Sequence, residues 1–228
     1  SKTVYVCDSR RYRTPSPYVT TDFCDWDNPD IHYPIEHPNL YNFCDISQNG
    51  GNIGQTHYDN LVWYRAQLAQ QSPRPINHVK IYKYIWETGK HWNTRELPET
   101  TDHATRRFWR TIFGGAASAR HHRDRGNWGL GLSPRGQADV RSARMLTDAM
   151  NIFTMAPDNS LLSERSHDEA YALGNSRKQY AVYFTGEADR SVNIDLLGMA
   201  GTSTLRWLEI ETSSWQPTEN INGGSAYT

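Results

Sequence analysis

The sequence predicts an α/β region followed by an all-β region, on three observations. Up to about residue 125, short apolar runs alternate with helical segments at roughly thirty-residue spacing, the pattern of βαβ units that share a parallel sheet. A helix then opens at Ser133-Pro134, with Ser as N-cap and Pro at the first helical position. From Glu169 onward, short alternating strands separated by Gly- and Asn-containing turns replace any helical period, which argues an antiparallel β-sandwich. The texture changes after Pro157. The expected domains are therefore 1–157 and 158–228.

The elements run in this order. Thr3-Val4-Tyr5-Val6-Cys7 and Pro17-Tyr18-Val19-Thr20-Thr21 read as strands, and a Pro-rich polar loop runs from Asp25 to Pro38. Leu40 to Ile46 is the next strand. Thr56 followed by Asp59 resembles a capping box, and Leu61, Tyr64, Arg65 and Leu68 share one face of the helix it opens. Pro75 to Tyr82 is a further strand. Thr101 or Asp102 starts a helix carrying Phe108, Trp109, Ile112 and Phe113, and Gly114-Gly115 leads to Arg120-His121-His122-Arg123. The Ser133 helix runs to about Met150, with Ala138, Met145, Leu146 and Ala149 inward. Beyond it, Tyr180, Val182 and Phe184 alternate, as do Val192, Ile194 and Leu196, and Leu205-Arg206-Trp207-Leu208 comes after Gly201.

Composition narrows the function. Lys and Arg number 24 against 25 Asp and Glu, a net charge of −1, so no overall field recruits nucleic acid or an anionic membrane. Mean hydropathy is −0.77, and no apolar run approaches the ~20 residues of a membrane helix. Trp (8) and Tyr (13) outnumber Phe (6); rings with a polar handle suit polar ligands with apolar faces, such as sugars. Cys7, Cys24 and Cys44 form neither a disulfide framework nor a zinc site at this spacing and read as buried free thiols. The chain begins at Ser1 in a strand-like run and ends at Ala226-Tyr227-Thr228 after a Gly-Gly turn, as expected of a piece of a longer protein.

In a parallel α/β barrel the chemistry sits where strands end, and polar residues at those places are the candidates. Asp22 and Asp25, with Trp26 beside them, come after the Pro17 strand. Carboxylates there serve as acid, base or nucleophile; the alternative is loop capping, and Asp27-Asn28-Pro29 reads as a turn. Gln48 and Asn49 come after the next strand, where amides either bond sugar hydroxyls or tie down the Gly50-Gly51 turn. His57 faces the mouth or is structural. Lys80 and Tyr82 belong to the third strand end, Lys80 needing either to snorkel or to pair with a carboxylate such as Asp22 or Asp45. At the fourth strand end, Arg120 suits an anion or sugar-hydroxyl clamp. Of His121 and His122 at most one enters the mouth, because adjacent strand residues face opposite ways. No metal or cofactor is expected, since neither HExxH nor Cys-rich spacing occurs. Trp86 and Trp92 are loop platforms for a sugar ring, whereas Trp109 falls at core spacing.

Several runs resemble one group of proteins: Phe43-Cys44-Asp45-Ile46-Ser47-Gln48-Asn49, Gly54-Gln55-Thr56-His57-Tyr58-Asp59-Asn60, Arg74 through Tyr82, Arg107-Phe108-Trp109-Arg110, Phe113 through Arg120, and Ala143 through Asp148. These are similar to the apiosidase-like, DUF4038-type glycoside hydrolases, secreted bacterial enzymes of polysaccharide breakdown. The resemblance implies a (β/α)8 TIM barrel, present here as about its last four strands, followed by a small β-sandwich named a collagen-binding domain. It further implies a carbohydrate substrate and a secreted or periplasmic location. Only about ten residues separate the Val4 strand from the next, too few for a crossover helix. Where such enzymes carry Asn-Glu at the fourth strand, Cys7-Asp8-Ser9 stands here, and where a second Glu is expected, Val79-Lys80-Ile81-Tyr82 stands. The expected catalytic glutamates are thus replaced, leaving Asp22, Asp25 or Asp8 to serve. The alternative is a non-catalytic carbohydrate-binding protein on the same scaffold.

Overall fold

The structure is a computed structural model that describes residues 33–39, 41, 44–46, 54–82, 98–122, 132–175, 179–186 and 191–228. The chain divides into two compact units, Ser1–Leu132 and Ser133–Thr228.

The first unit runs α1 (Tyr33–Glu36), β1 (Cys44–Ile46), α2 (Gly54–Ala69), β2 (Ile76–Tyr82), α3 (Pro98–Phe113) and β3 (Ser118–His122). The strands lie in sheet order β1-β2-β3, and both pairings are parallel. Sheet order equal to chain order, with a helix in each crossover, is the βαβαβ arrangement expected from the spacing of the apolar runs. Among the described residues the three strands make an open sheet, not a closed barrel.

One stripe of α2 builds the core. Leu61, Tyr64 and Leu68 recur at helical spacing and are all buried, so they lie on one face. With Cys44, Ile46, Ile76 and Ala116 they form a single apolar cluster, against which Ile35 packs. The leucines and isoleucines among them each contribute about 1.5–3 kcal/mol when fully buried. Cys44 is buried, as expected. Arg74 donates to the Pro34 carbonyl (2.6 Å) and the Gln71 amide to that of Ile35 (2.7 Å), which ties α1 to the turn after α2.

Two helix starts differ from expectation. The α2 helix begins at Gly54, whose φ of 54° suits glycine, so Thr56 lies inside the first turn and cannot be the N-cap. Gln55 donates instead to Asp59 (2.7 Å) one turn on. The α3 helix begins at Pro98, ahead of Thr101, because Pro is tolerated at a first helical position where no N–H is needed. Trp109 is core, as its spacing implied.

The second unit opens with α4 (Pro134–Ala149), N-capped by Ser133 as expected, its side chain accepting from the Gly136 N–H at 3.1 Å. The strands after it are β4 (Ala156–Pro157), β5 (Leu162–Ser163), β6 (Ala170–Asn175), β7 (Gln179–Phe184), β8 (Asn193–Asp195), β9 (Thr202–Leu205), β10 (Leu208–Glu209), β11 (Ser214–Trp215), β12 (Glu219–Asn222) and β13 (Ala226–Tyr227). All their pairings are antiparallel, in the orders β4-β6-β7, β13-β8-β5, β12-β9 and β10-β11. The first two sheets share a core: Ala170 and Ala172 of β6 and Leu162 of β5 meet Val192, with Val182, Phe184 and Ile194 packed around them.

The α4 helix groups with these strands, whereas the composition change after Pro157 places it earlier. Polar bonds explain why. Ser142 Oγ donates to the Ile210 carbonyl (2.9 Å) and meets Ser213 Oγ (3.0 Å), and Ser213 Oγ reaches the Ala138 carbonyl (3.1 Å). Arg135 pairs with Glu211 on the same turn. Ser142 is accordingly buried, Asp139 is buried as well, and Ala149, expected inward, is exposed. Glu169 is buried because its carboxylate accepts from the backbone N–H groups of Ser166 (2.7 Å) and Ser191 (3.3 Å), stapling two loops.

The turn from α3 to β3 makes a close approach to α2. A Cβ on Gly114 would stand 2.5 Å from Leu61 Cδ2 and 3.0 Å from the Arg110 carbonyl oxygen, and Gly115 has φ 81°. Gly114→Ala is expected to destabilise the chain by about 1–3 kcal/mol through overpacking, measured as a lowered urea midpoint at unchanged m-value. An unchanged midpoint would show that α2 and this turn are not in contact.

Candidate functional site

Parallel pairing sets the C-terminal ends of β1, β2 and β3 at one edge, and their register places the polar positions. Asp45 pairs with Asn77, and Asn77 with Ser118. Asn77 and Ser118 are also joined through their side chains, the Ser118 hydroxyl donating to the Asn77 amide oxygen. His78 contacts His57 of α2, and neighbouring strand residues face opposite ways. The Asn77–Ser118 contact therefore lies on the face turned away from α2, near the N-terminal ends of β2 and β3.

A bulge shapes the C-terminal half of β2. His78 pairs with Ala119, yet Ile81 pairs with His121 and Tyr82 with His122, so β2 carries one extra residue between His78 and Ile81. Lys80 falls within that stretch. Bulges bend a strand and re-aim the side chains beyond them, and they are frequent beside binding sites. Lys80, Tyr82, Arg120 and His121 are thus all placed on the C-terminal halves of neighbouring parallel strands. The remaining expected site residues, Asp22, Asp25, Trp26, Gln48, Asn49 and Trp86, lie outside the described residues.

Of its two readings, facing the mouth or structural, His57 takes the structural one and does not face the mouth. It sits in the first turns of α2, fully buried, with its ring 4.8 Å from that of His78 at 61°, an edge-on contact. Arg107 and Arg110 of α3, both buried, bring positive charge to the same seam. Burial holds the His57 pKa well below its ordinary value, and His78, Arg107 and Arg110 push it the same way. For His78, burial and then Arg107 lower the pKa to about 3, against a backbone hydrogen bond that raises it. Ring nitrogens held neutral behind a sheet cannot exchange protons with a substrate at its edge.

Sequence reasoning missed His78, Arg107 and Arg110 as a group. The available signal was His78 two residues after Ile76, on the same apolar strand face, together with two arginines three apart in a helix otherwise flanked by Phe108, Trp109 and Phe113. Among the described residues, no group of three or more His, Cys, Asp or Glu could hold a metal ion, and no helix is long and apolar enough to cross a membrane. No family model, no curated protein and no solved structure matches the chain.

The seam has a pH consequence. In the folded chain both imidazoles stay neutral, whereas in the unfolded chain each takes a proton near the ordinary 6.5. Below that pH the unfolded state binds protons that the folded state refuses, so stability falls with pH down to about 3 for His78. Each ring contributes a slope of about 1.4 kcal/mol per pH unit. Chemical unfolding at a series of pH values should show this decline between about pH 6 and pH 4, and His78→Phe should flatten it by about one proton. An identical slope in the variant would mean that His78 titrates normally in the folded chain.

Proposed function

We propose that the chain belongs to a carbohydrate-active enzyme of the glycoside hydrolase type, with the first unit part of a (β/α)8 barrel and the second a β-sandwich. The observation that carries this reading is the parallel β1-β2-β3 order with polar positions gathered at its C-terminal end. Lys80 and Tyr82 of β2 and Arg120 and His121 of β3 fall toward that end of the strands. Of the runs that resemble the apiosidase-like hydrolases, Gly54 through Asn60, Arg74 through Tyr82, Arg107 through Arg110 and Phe113 through Arg120 fall in the first unit, and Ala143 through Asp148 falls on α4 of the second. Their secreted or periplasmic setting is part of the proposal.

In this reading Asp22 or Asp25 supplies the reactive carboxyl group. A carboxylic acid protonates the glycosidic oxygen as the bond to the anomeric carbon breaks, and a second carboxylate either attacks that carbon or activates the water that does. Lys80, if paired with such a carboxylate, favours its ionised form. Tyr82, Arg120 and the amides of Gln48 and Asn49 hold sugar hydroxyls, and Trp26 and Trp86 offer faces for the ring. A second reading, a non-catalytic carbohydrate-binding protein, is favoured by Cys7-Asp8-Ser9 and Val79-Lys80-Ile81-Tyr82 standing where the resemblance expects glutamates.

Reducing sugar released from a panel of plant and microbial polysaccharides by the full-length protein separates the two. Asp22→Asn and Asp25→Asn, made singly, should lower kcat by about 10²–10⁴ in at least one case. Normal turnover in both variants, with loss in His121→Ala, would overturn the assignment. Binding without turnover on any substrate selects the second reading.

A further inference from the structure

The second unit carries an aromatic surface that the proposed hydrolase chemistry does not use. Trp207, 45 % exposed, lies just before β10, and its carbonyl accepts the Gln216 N–H at 2.8 Å just after β11. That bond continues the ladder in which Leu208 pairs with Trp215 and Glu209 with Ser214. Paired residues share a face and alternate residues return to it, so Trp207, Glu209, Ser214 and Gln216 lie on one side of the hairpin. The other side is already occupied: the Arg206 guanidinium stacks over the Trp215 ring at 4.2 Å. The Trp207 ring is braced from behind by Phe184 of β7, centroids 5.9 Å apart and tilted 38°. A buttressed, half-exposed indole loses little freedom when a ligand covers it.

We infer that this face of the β10–β11 hairpin, built from Trp207, Glu209, Ser214 and Gln216, binds a neutral polysaccharide chain. The indole offers a flat apolar face to the C–H side of a sugar ring, while a carboxamide, a hydroxyl and a carboxylate beside it match sugar hydroxyls as donors and acceptors. Glu209 brings negative charge and Arg206 is committed to Trp215, so uronic-acid polymers are repelled. The surface deepens the carbohydrate reading above, and it rests on that reading for the class of ligand.

The full chain is run through native gels containing galactomannan, mixed-linkage β-glucan, arabinoxylan or polygalacturonate, with Trp207→Ala, Gln216→Ala and, as a control on an exposed ring of α2, Trp63→Ala. Retardation is expected in at least one neutral gel and not in polygalacturonate. Trp207→Ala should weaken it at least about tenfold, Gln216→Ala should weaken it less, and Trp63→Ala should leave it intact. Circular dichroism checks each variant, and if Trp207→Ala unfolds, Gln216→Ala decides. No retardation of the wild type, equal retardation of a folded Trp207→Ala, or tighter binding of polygalacturonate overturns the surface. Turnover of a short soluble oligosaccharide is measured alongside. Turnover without retardation overturns this surface and leaves the hydrolase standing, whereas retardation without turnover does the reverse.

Discussion

Two imidazoles share a buried seam between a parallel sheet and the helices that cover it. His57 comes from the start of α2 and His78 from the middle of β2, and both are fully buried. A buried ring next to two arginines is tolerable only uncharged, since an isolated charge in low dielectric costs far more than the fold's net stability. Burial and the Arg107 charge meet this condition by driving the His78 pKa down to about 3. The sheet, α2 and α3 must therefore close together and exclude water for the seam to exist.

That closure divides the labour of β2 between its faces. Ile76 and His78 look toward α2 and serve packing, while Asn77 looks the other way and bonds Ser118. The bulge after His78 then shifts the register of the last residues of β2 against β3. The Asn77–Ser118 contact, near the N-terminal ends of β2 and β3, is thus mounted on a strand whose back is fixed in the core. Rigid support of this kind is required by a binding or catalytic constellation. The second unit solves the same problem differently, pinning α4 to a turn through Ser142 and Ser213 and bracing Trp207 on Phe184.

Local, periodic features were legible in the sequence. The Leu61–Tyr64–Leu68 stripe, the Ser133-Pro134 start of α4 and the buried Cys44 thiol each arise from spacing or residue chemistry alone. The alternation of Tyr180, Val182 and Phe184 correctly marked β7. Features set by distant partners were not legible. Thr56 carries a capping pattern, but Gly54 opens α2 first. His57 looks like a mouth residue until β2 brings His78 against it, and the extra residue of β2 shows only when β3 is laid beside it. Ser142 and Asp139 are polar on a helix face that looks exposed, and only the turn at residues 210–213 explains the burial of Ser142.

The most direct test is an NMR titration of the imidazole ring protons of the folded chain, with His57 and His78 assigned through His57→Gln and His78→Phe. Both rings are predicted to keep the shifts of neutral imidazole from about pH 8 down to about pH 5, while exposed histidines titrate near their ordinary value. Two rings that protonate near 6.5 with the fold intact would contradict the account. They would show water in the seam and a β2 strand that is not backed by α2 and α3.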